Sequence, residues 1–116
     1  MQKSLFIDEP IIPFLCPMIV RIVKMQFKPE EVDNFKQLFK ERKEKIRGFP
    51  GCHYLELLQG APASPSTFFT YSYWASEEDL NNYRHSDLFA ETWKLTKKMF
   101  SQKAEAISTQ KLHSLS

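Results

Sequence analysis

Tyr83 and His85, two side chains that can exchange protons, stand two positions apart in the second half of the chain. The hydroxyl of Tyr83 could donate a hydrogen bond to a phenolic or quinone oxygen and stabilise an enolate-like oxyanion. The imidazole of His85 could accept a proton near neutral pH. A packed ring remains the alternative for Tyr83, and a loop or capping role for His85. These are the candidate catalytic residues.

Large rings are abundant around this pair, and the chain has ten Phe, four Tyr and two Trp. Such rings usually fill cores or line pockets. The residues that could wall one apolar cavity are Trp74, Tyr71, Tyr73 and Trp93. Core or interface packing stays open for each of them. Arg84 could attract an anionic substrate, although an exposed arginine at a helix end is the alternative.

Composition excludes several classes of function. Sixteen basic and fourteen acidic residues give a net charge of +2, which is too balanced to indicate nucleic acid as a partner. Three glycines in the whole chain give little support for nucleotide binding. No stretch is long enough to span a membrane. The sequence has no Ser-His-Asp signature and no metal-ligand spacing, so no metal is expected.

The two cysteines, Cys16 and Cys52, are far apart in the sequence. Their spacing matches no redox or metal motif, and a reduced cytoplasmic compartment is the simplest interpretation. A disulfide between them stays open.

Hydrophobic periodicity predicts four strands and a set of helices. Apolar and β-branched runs indicate strands, and apolar residues at spacings of three and four indicate helices. Ser76 and Ser86 are candidate N-caps for two helices on either side of a break near His85. The predicted elements are strands Met18–Phe27, Cys52–Gln59, Thr67–Ala75 and Glu105–Leu112, and helices Pro29–Arg47, Ser76–Arg84 and Leu88–Phe100.

This order, β-α-β-β-α-β with the second helix broken, predicts an α+β, ferredoxin-like sandwich. The helices should cover one face of a four-stranded antiparallel sheet. The domain is expected to span residues 18–112. Residues 1–17 are interpreted as a flexible extension, or as an over-long start before a natural beginning at Met18, and residues 113–116 as a tail.

The third strand predicts self-association. Its alternate positions carry Phe69, Tyr71 and Tyr73 on one side and Phe68 and Trp74 on the other. A half-exposed antiparallel strand would be polar on one face. One face can pack on the helices, and the other then needs a cover. A second copy related by twofold symmetry supplies that cover, so we expect a homodimer through the sheet.

Three segments together resemble the antibiotic biosynthesis monooxygenase (ABM) domain family. They are the PEE start of the first helix, the GFPGC-x-Y-x-ELLQ stretch (Gly48 to Gln59) and YWASEEDLNNYRHSDLF (Tyr73 to Phe89). The resemblance covers about residues 18–112. It implies the dimeric α/β barrel, the same fold that the periodicity predicts. The family is functionally mixed: some members oxygenate polycyclic aromatic compounds without metal or flavin, and others degrade haem.

The resemblance also implies which cofactors to expect. The haem-degrading branch uses an Asn on the first strand, a Trp at the end of the short helix and a His ligand in the next helix. Aligned on the family pattern, those two helix positions are Tyr83 and Trp93, and the first strand has no Asn. A Trp cannot replace imidazole as an iron ligand, so haem is not expected, nor any other cofactor. A second family pattern places His at the positions of Tyr83 and Leu88, and His85 lies near both but at neither.

Two functions remain open at this point. The resemblance favours a cofactor-independent monooxygenase that acts on a small phenol- or quinol-like substrate in an apolar pocket between sheet and helices. The departures from the family's His positions favour a non-catalytic dimeric module that binds a small apolar ligand or serves as an accessory protein.

Overall fold

A computed structural model describes residues 18–116, and the expectations for residues 1–17 and for Cys16 lie outside this range. A short 3-10 turn at Pro29–Glu31 leads into the first helix. The elements of the described range are β1 (Ile19–Phe27), α1 (Val32–Arg47), β2 (Cys52–Gln59), β3 (Thr67–Trp74), α2 (Glu77–Arg84), α3 (Asp87–Lys97) and β4 (Phe100–Gln110). This is the predicted β-α-β-β-α-β order with a broken second helix.

The four strands form one antiparallel sheet in the order β2-β3-β1-β4. β1 lies between β3 and β4, with Ile22 opposite Tyr71 on one side and opposite Ile107 on the other. A sheet with the first and third strands at its centre and helical crossovers on one face is the ferredoxin-like arrangement. The predicted α+β fold is confirmed.

Serine caps divide the second helical segment into two helices. The hydroxyl of Ser76 accepts a hydrogen bond from the backbone N–H of Asp79 at the start of α2. The hydroxyl of Ser86 accepts one from the backbone N–H of Phe89 at the start of α3. Each cap satisfies an N–H group that the first turn leaves free. His85 therefore lies at the junction of the two helices.

The boundary between α3 and β4 differs from the prediction. α3 ends at Lys97, and β4 begins at Phe100 rather than at Glu105. Met99 and Phe100 fit the helical spacing, but the carbonyl of Met99 accepts a hydrogen bond from the N–H of Lys28, and Phe100 pairs with Phe27 of β1. Pairing with β1 therefore outweighs the weak strand propensity of the polar residues that follow Phe100.

The two faces of the sheet have different environments. Phe27, Phe68 and Trp74 are fully buried beneath the helices. The ring of Phe35 on α1 stacks on that of Phe27, with centroids 4.1 Å apart. The intervening side chains of β3, such as Tyr71, belong to the opposite face, which none of the three described helices covers. The predicted one-sided helical layer is confirmed.

Candidate functional site

A cavity of about 350 Å³ lies between the helical layer and the covered face of the sheet. This volume falls within the usual range of small-molecule pockets. All three helices contribute to its walls, through residues such as Phe39 of α1, Leu80 of α2 and Phe89 of α3. Apolar and aromatic side chains dominate the lining, and no Asp or Glu of the described chain is part of it.

The floor of the cavity consists of rows of residues that pair across the strands. Directly paired residues of antiparallel strands project from the same face. In one row, Arg21 of β1 pairs with Ser72 of β3 and with Ser108 of β4. In the next row, Val23 pairs with Thr70. The sheet thus presents the side chain of Arg21 and the hydroxyl groups of Thr70 and Ser72 to the cavity.

Trp74 forms a fixed wall at the end of β3. The indole N–H donates a hydrogen bond to the hydroxyl of Ser72, with an Nε1–Oγ distance of 2.9 Å, and both residues are buried. The ring of Tyr83 stacks against the indole, with centroids 5.0 Å apart and planes inclined by 25°. The hydrogen bond and the stacking together hold Trp74 and Tyr83 in one orientation.

Tyr83 is surrounded by rings on other sides as well. Phe49 and Phe89 meet it edge to face, at centroid distances of 5.4 and 5.3 Å. Burial, with a smaller contribution from the nearby Cys52, raises the pKa of Tyr83 to about 12. The phenol therefore stays protonated at neutral pH and can act as a hydrogen-bond donor within the cavity.

His85 lines the cavity at the junction of α2 and α3. Its Nδ1 lies 2.8 Å from the carbonyl oxygen of Asn81. Because a carbonyl oxygen only accepts hydrogen bonds, Nδ1 must carry the proton in this contact. In the neutral ring, Nε2 then keeps its lone pair and is the atom that can accept a proton.

Arg21 is a cavity residue that our sequence analysis missed. Its guanidinium donates a hydrogen bond to the hydroxyl of Ser108, with an Nη1–Oγ distance of 2.9 Å. Burial, followed by repulsion from the cation of Arg84, lowers the pKa of Arg21. The signal was present in the sequence, since strand alternation puts Arg21 on the same face as Ile19, Val23 and Met25. A charged residue on an otherwise apolar face is a candidate for a function.

Most of the predicted site residues border this cavity, and two do not. The structure brings together Trp74, Tyr83, Arg84, His85 and Trp93. Tyr71 and Tyr73, which were predicted to line the same cavity, lie instead on the opposite face of the sheet. There, the ring centroids of Tyr73 and Tyr54 are 4.7 Å apart. Both faces of β3 carry rings, so composition did not reveal which set points inward.

Two further features concern the described residues as a whole. Within residues 18–116, no group of three or more His, Cys, Asp or Glu side chains is arranged to hold a metal ion. None of the helices in the same range is long and apolar enough to cross a bilayer.

Several solved structures share this fold. A conserved protein of Methanosarcina mazei Go1 superposes with a TM-score of 0.77 at 26% sequence identity, over 83% of this chain and 94% of the other. The crystal structure of an antibiotic biosynthesis monooxygenase gives a TM-score of 0.75 at 21% identity, over 82% and 99% of the two chains. Rv0793 of Mycobacterium tuberculosis gives 0.77 at 14% identity, over 85% and 99%.

The sequence itself identifies the family. No curated protein sequence matches the chain significantly. The model of the antibiotic biosynthesis monooxygenase family, however, matches residues 18–95, which include β1 and the segments that form the cavity up to Leu95 of α3. This match confirms the resemblance found in the sequence. The chain therefore belongs to the antibiotic biosynthesis monooxygenase family.

Proposed function

We propose that this protein is a cofactor-independent monooxygenase that acts on a small phenol- or quinol-like aromatic compound bound in the cavity. The observation that supports it most is that Tyr83 and His85 both line the same, mostly apolar cavity. A neutral phenol donor and an imidazole acceptor are the groups that this chemistry requires. Membership of the family supports the reaction class.

The aromatic walls suit a flat ligand. Trp93 stacks on Phe89 with centroids 5.7 Å apart and planes inclined by 13°, and Tyr83 stacks on Trp74. A planar ring bound among these side chains would exchange water for apolar contacts. Exclusion of water also strengthens any hydrogen bond made to the ligand inside the cavity.

Proton transfer begins the proposed reaction. Nε2 of His85 takes the proton of the substrate hydroxyl, and the hydroxyl of Tyr83 donates a hydrogen bond to the resulting phenolate oxygen. Its raised pKa keeps Tyr83 from giving up its own proton to the substrate. The positive charge of Arg84 favours the anion as well.

The phenolate then supplies the electrons. It reduces O₂ and forms a C–O bond at a ring carbon. Cleavage of the O–O bond leaves one oxygen atom on the ring as a quinone carbonyl and releases the other as water. A phenol and one O₂ thus give a para-quinone and one water, so the balance requires no external reductant.

Oxygen consumption tests the proposal. The purified protein is mixed with a panel of hydroquinones, naphthols and polyphenols in metal-free buffer, with heat-denatured protein as the control. We expect consumption of O₂ above background with at least one member, together with a product that has gained one oxygen atom from O₂, because simple oxidation of a hydroquinone to its quinone inserts no oxygen. Ligand binding without oxygen consumption across the whole panel would contradict the proposal and identify the cavity as a binding site of a non-catalytic module.

We also propose that the protein forms a homodimer through the uncovered face of its sheet. Large side chains of all four strands project from this face. Tyr54 pairs with Tyr73 across β2 and β3, and Ile22 pairs with Ile107 across β1 and β4. Ile107 is 58% exposed, which is unusual for an isoleucine. Twofold association of two such faces would bury these rings and aliphatic groups.

A further inference from the structure

We propose that the ligand of the cavity carries a carboxylate and that the guanidinium groups of Arg21 and Arg84 bind it. The ligand class would then be an aromatic carboxylic acid. The aromatic part of this proposal rests on the proposed function, whereas the carboxylate part follows from the charges around the cavity.

Arg21 enters the cavity from the floor. It lies near the middle of the covered face, between the apolar residues Ile19 and Val23 of the same face. Its position is set by pairing on both sides, with Ser72 and with Ser108. A guanidinium held in the centre of a sheet is more restricted than one on a surface loop, so less entropy is lost when it binds a ligand.

Arg84 is an exposed residue that borders the cavity on the helical side. It is the last residue of α2. Its side chain donates a hydrogen bond to the side-chain oxygen of Asn81, with an Nη1–Oδ1 distance of 3.3 Å. Both arginines line the same cavity, and repulsion from Arg84 contributes, after burial, to the lowered pKa of Arg21. Two positive charges in one cavity favour the binding of an anion.

The described residues of the cavity supply no negative charge. Its lining contains no Asp or Glu within the described chain, and Arg21 donates its hydrogen bond to the neutral hydroxyl of Ser108. Removal of a cation from water costs free energy unless an anion compensates for it. A bound anion would provide that compensation, and it would screen the repulsion between Arg21 and Arg84.

A carboxylate fits this site better than a phosphate. Guanidinium groups bind carboxylates through two parallel hydrogen bonds. Most of the remaining lining is apolar or aromatic. A phosphate group would bring a second negative charge and more oxygens that need donors. One planar monoanion attached to an aromatic ring matches both the arginine pair and the rings of Trp74 and Trp93.

Calorimetric titration with matched ligands tests the proposal. The probes are 2-naphthoate and the neutral 2-naphthylmethanol, which share the ring and differ in the charged group. We expect 2-naphthoate to bind about tenfold more tightly, or better, because each charge-assisted hydrogen bond adds to its affinity. R21Q and R84Q should each weaken binding of 2-naphthoate about tenfold and leave that of 2-naphthylmethanol unchanged. K94Q removes an exposed charge of α3 outside the cavity and should change neither.

Equal affinity for the two probes would overturn the proposal, as would an equal loss for both probes in R21Q and R84Q. Circular dichroism confirms that each variant is folded, and if R21Q does not fold, R84Q provides the same comparison. The titration measures binding alone and does not depend on a reaction with O₂. If the protein distinguishes the two probes but consumes no O₂ with any phenol, the result contradicts the monooxygenase but not the carboxylate site. If it consumes O₂ but does not distinguish the probes, the result contradicts the carboxylate site but not the monooxygenase.

Discussion

The ring of Tyr83 lies against the indole of Trp74, with centroids 5.0 Å apart. The same Tyr83 side chain, which carries a hydroxyl group, also borders the cavity. The ring therefore has a structural role, and the proposed chemical role belongs to the hydroxyl. These two roles can be separated because phenylalanine keeps the ring and lacks the oxygen.

Tyr83→Phe should lower the oxygenase rate about 100-fold, the effect of removing one oxyanion donor. The contacts with Trp74, Phe49 and Phe89 remain, so the melting temperature should stay within about 2 °C of the wild type. Oxygen uptake and thermal unfolding measure the two effects. Unchanged turnover in Tyr83→Phe would remove this residue from the mechanism.

The raised pKa of Tyr83 makes stability depend on alkaline pH. The pKa is about 12 in the folded protein, against 10.0 for a free tyrosine. The unfolded chain therefore loses this proton first, so the stabilisation is present below pH 10 and is lost as the pH rises toward 12. Two pH units correspond to about 2–3 kcal/mol. Urea unfolding should show a larger loss between pH 10 and 12 in the wild type than in Tyr83→Phe, and parallel losses would argue against a buried phenol.

His85→Gln tests the proton acceptor. Glutamine keeps a polar group of similar reach but cannot take a proton, so turnover should fall about 100-fold or more. His53→Gln is the matched control, because His53 is an exposed residue of β2 that does not border the cavity. Steady-state oxygen uptake compares the three proteins. Similar rates in His85→Gln and His53→Gln would show that the imidazole of His85 takes no part in the reaction.

Arg21 is expected to reduce the stability of the ligand-free protein. Its charge is partly withdrawn from water and lies near a second cation, and both effects lower its pKa. Arg21→Gln removes the charge, and the melting temperature should rise by no more than about 2 °C, because the side chain is only partly buried and water screens its charge. Lys94→Gln should not change it. A lower melting temperature in Arg21→Gln would mean that the guanidinium stabilises the fold through its contact with Ser108.

Ile107→Lys tests the proposed dimer. A charge at this exposed position of the uncovered face should weaken association about tenfold or more, because a buried charge would have no partner. Leu95→Lys is the control, since Leu95 is 39% exposed on the helical side of the molecule. Sedimentation velocity across a range of protein concentrations measures both. A wild type that remains monomeric at micromolar concentration would exclude the dimer itself.

Local signals in the sequence were sufficient to predict most of the fold. Ser76 and Ser86 stand before helices and cap them, and the β-branched and aromatic runs form β1 and β3. The start of β4 could not be found in this way. The residues that follow Phe100 are polar, and they become a strand because β1 offers them an open edge for pairing. A long-range contact of this kind leaves no periodicity in the sequence.

The candidate site was only partly predictable for a related reason. Tyr83, Arg84 and His85 are neighbours in sequence, so their grouping was visible. Arg21 joins them from a distant strand, and only the fold brings it close. The face on which Tyr71 lies could not be predicted, because β3 has large rings on both sides and alternation alone cannot distinguish two aromatic faces.

On β1, Arg21 and Ile22 are consecutive residues that serve opposite surfaces of the sheet. A single amino acid inserted into or deleted from this strand would exchange its inward and outward side chains. Ile22 would then face the cavity, and Arg21 would lie on the uncovered face of the sheet. The proposed ligand binding and the proposed self-association would then be lost together. A change in the length of β1 is therefore more disruptive than a single substitution within it.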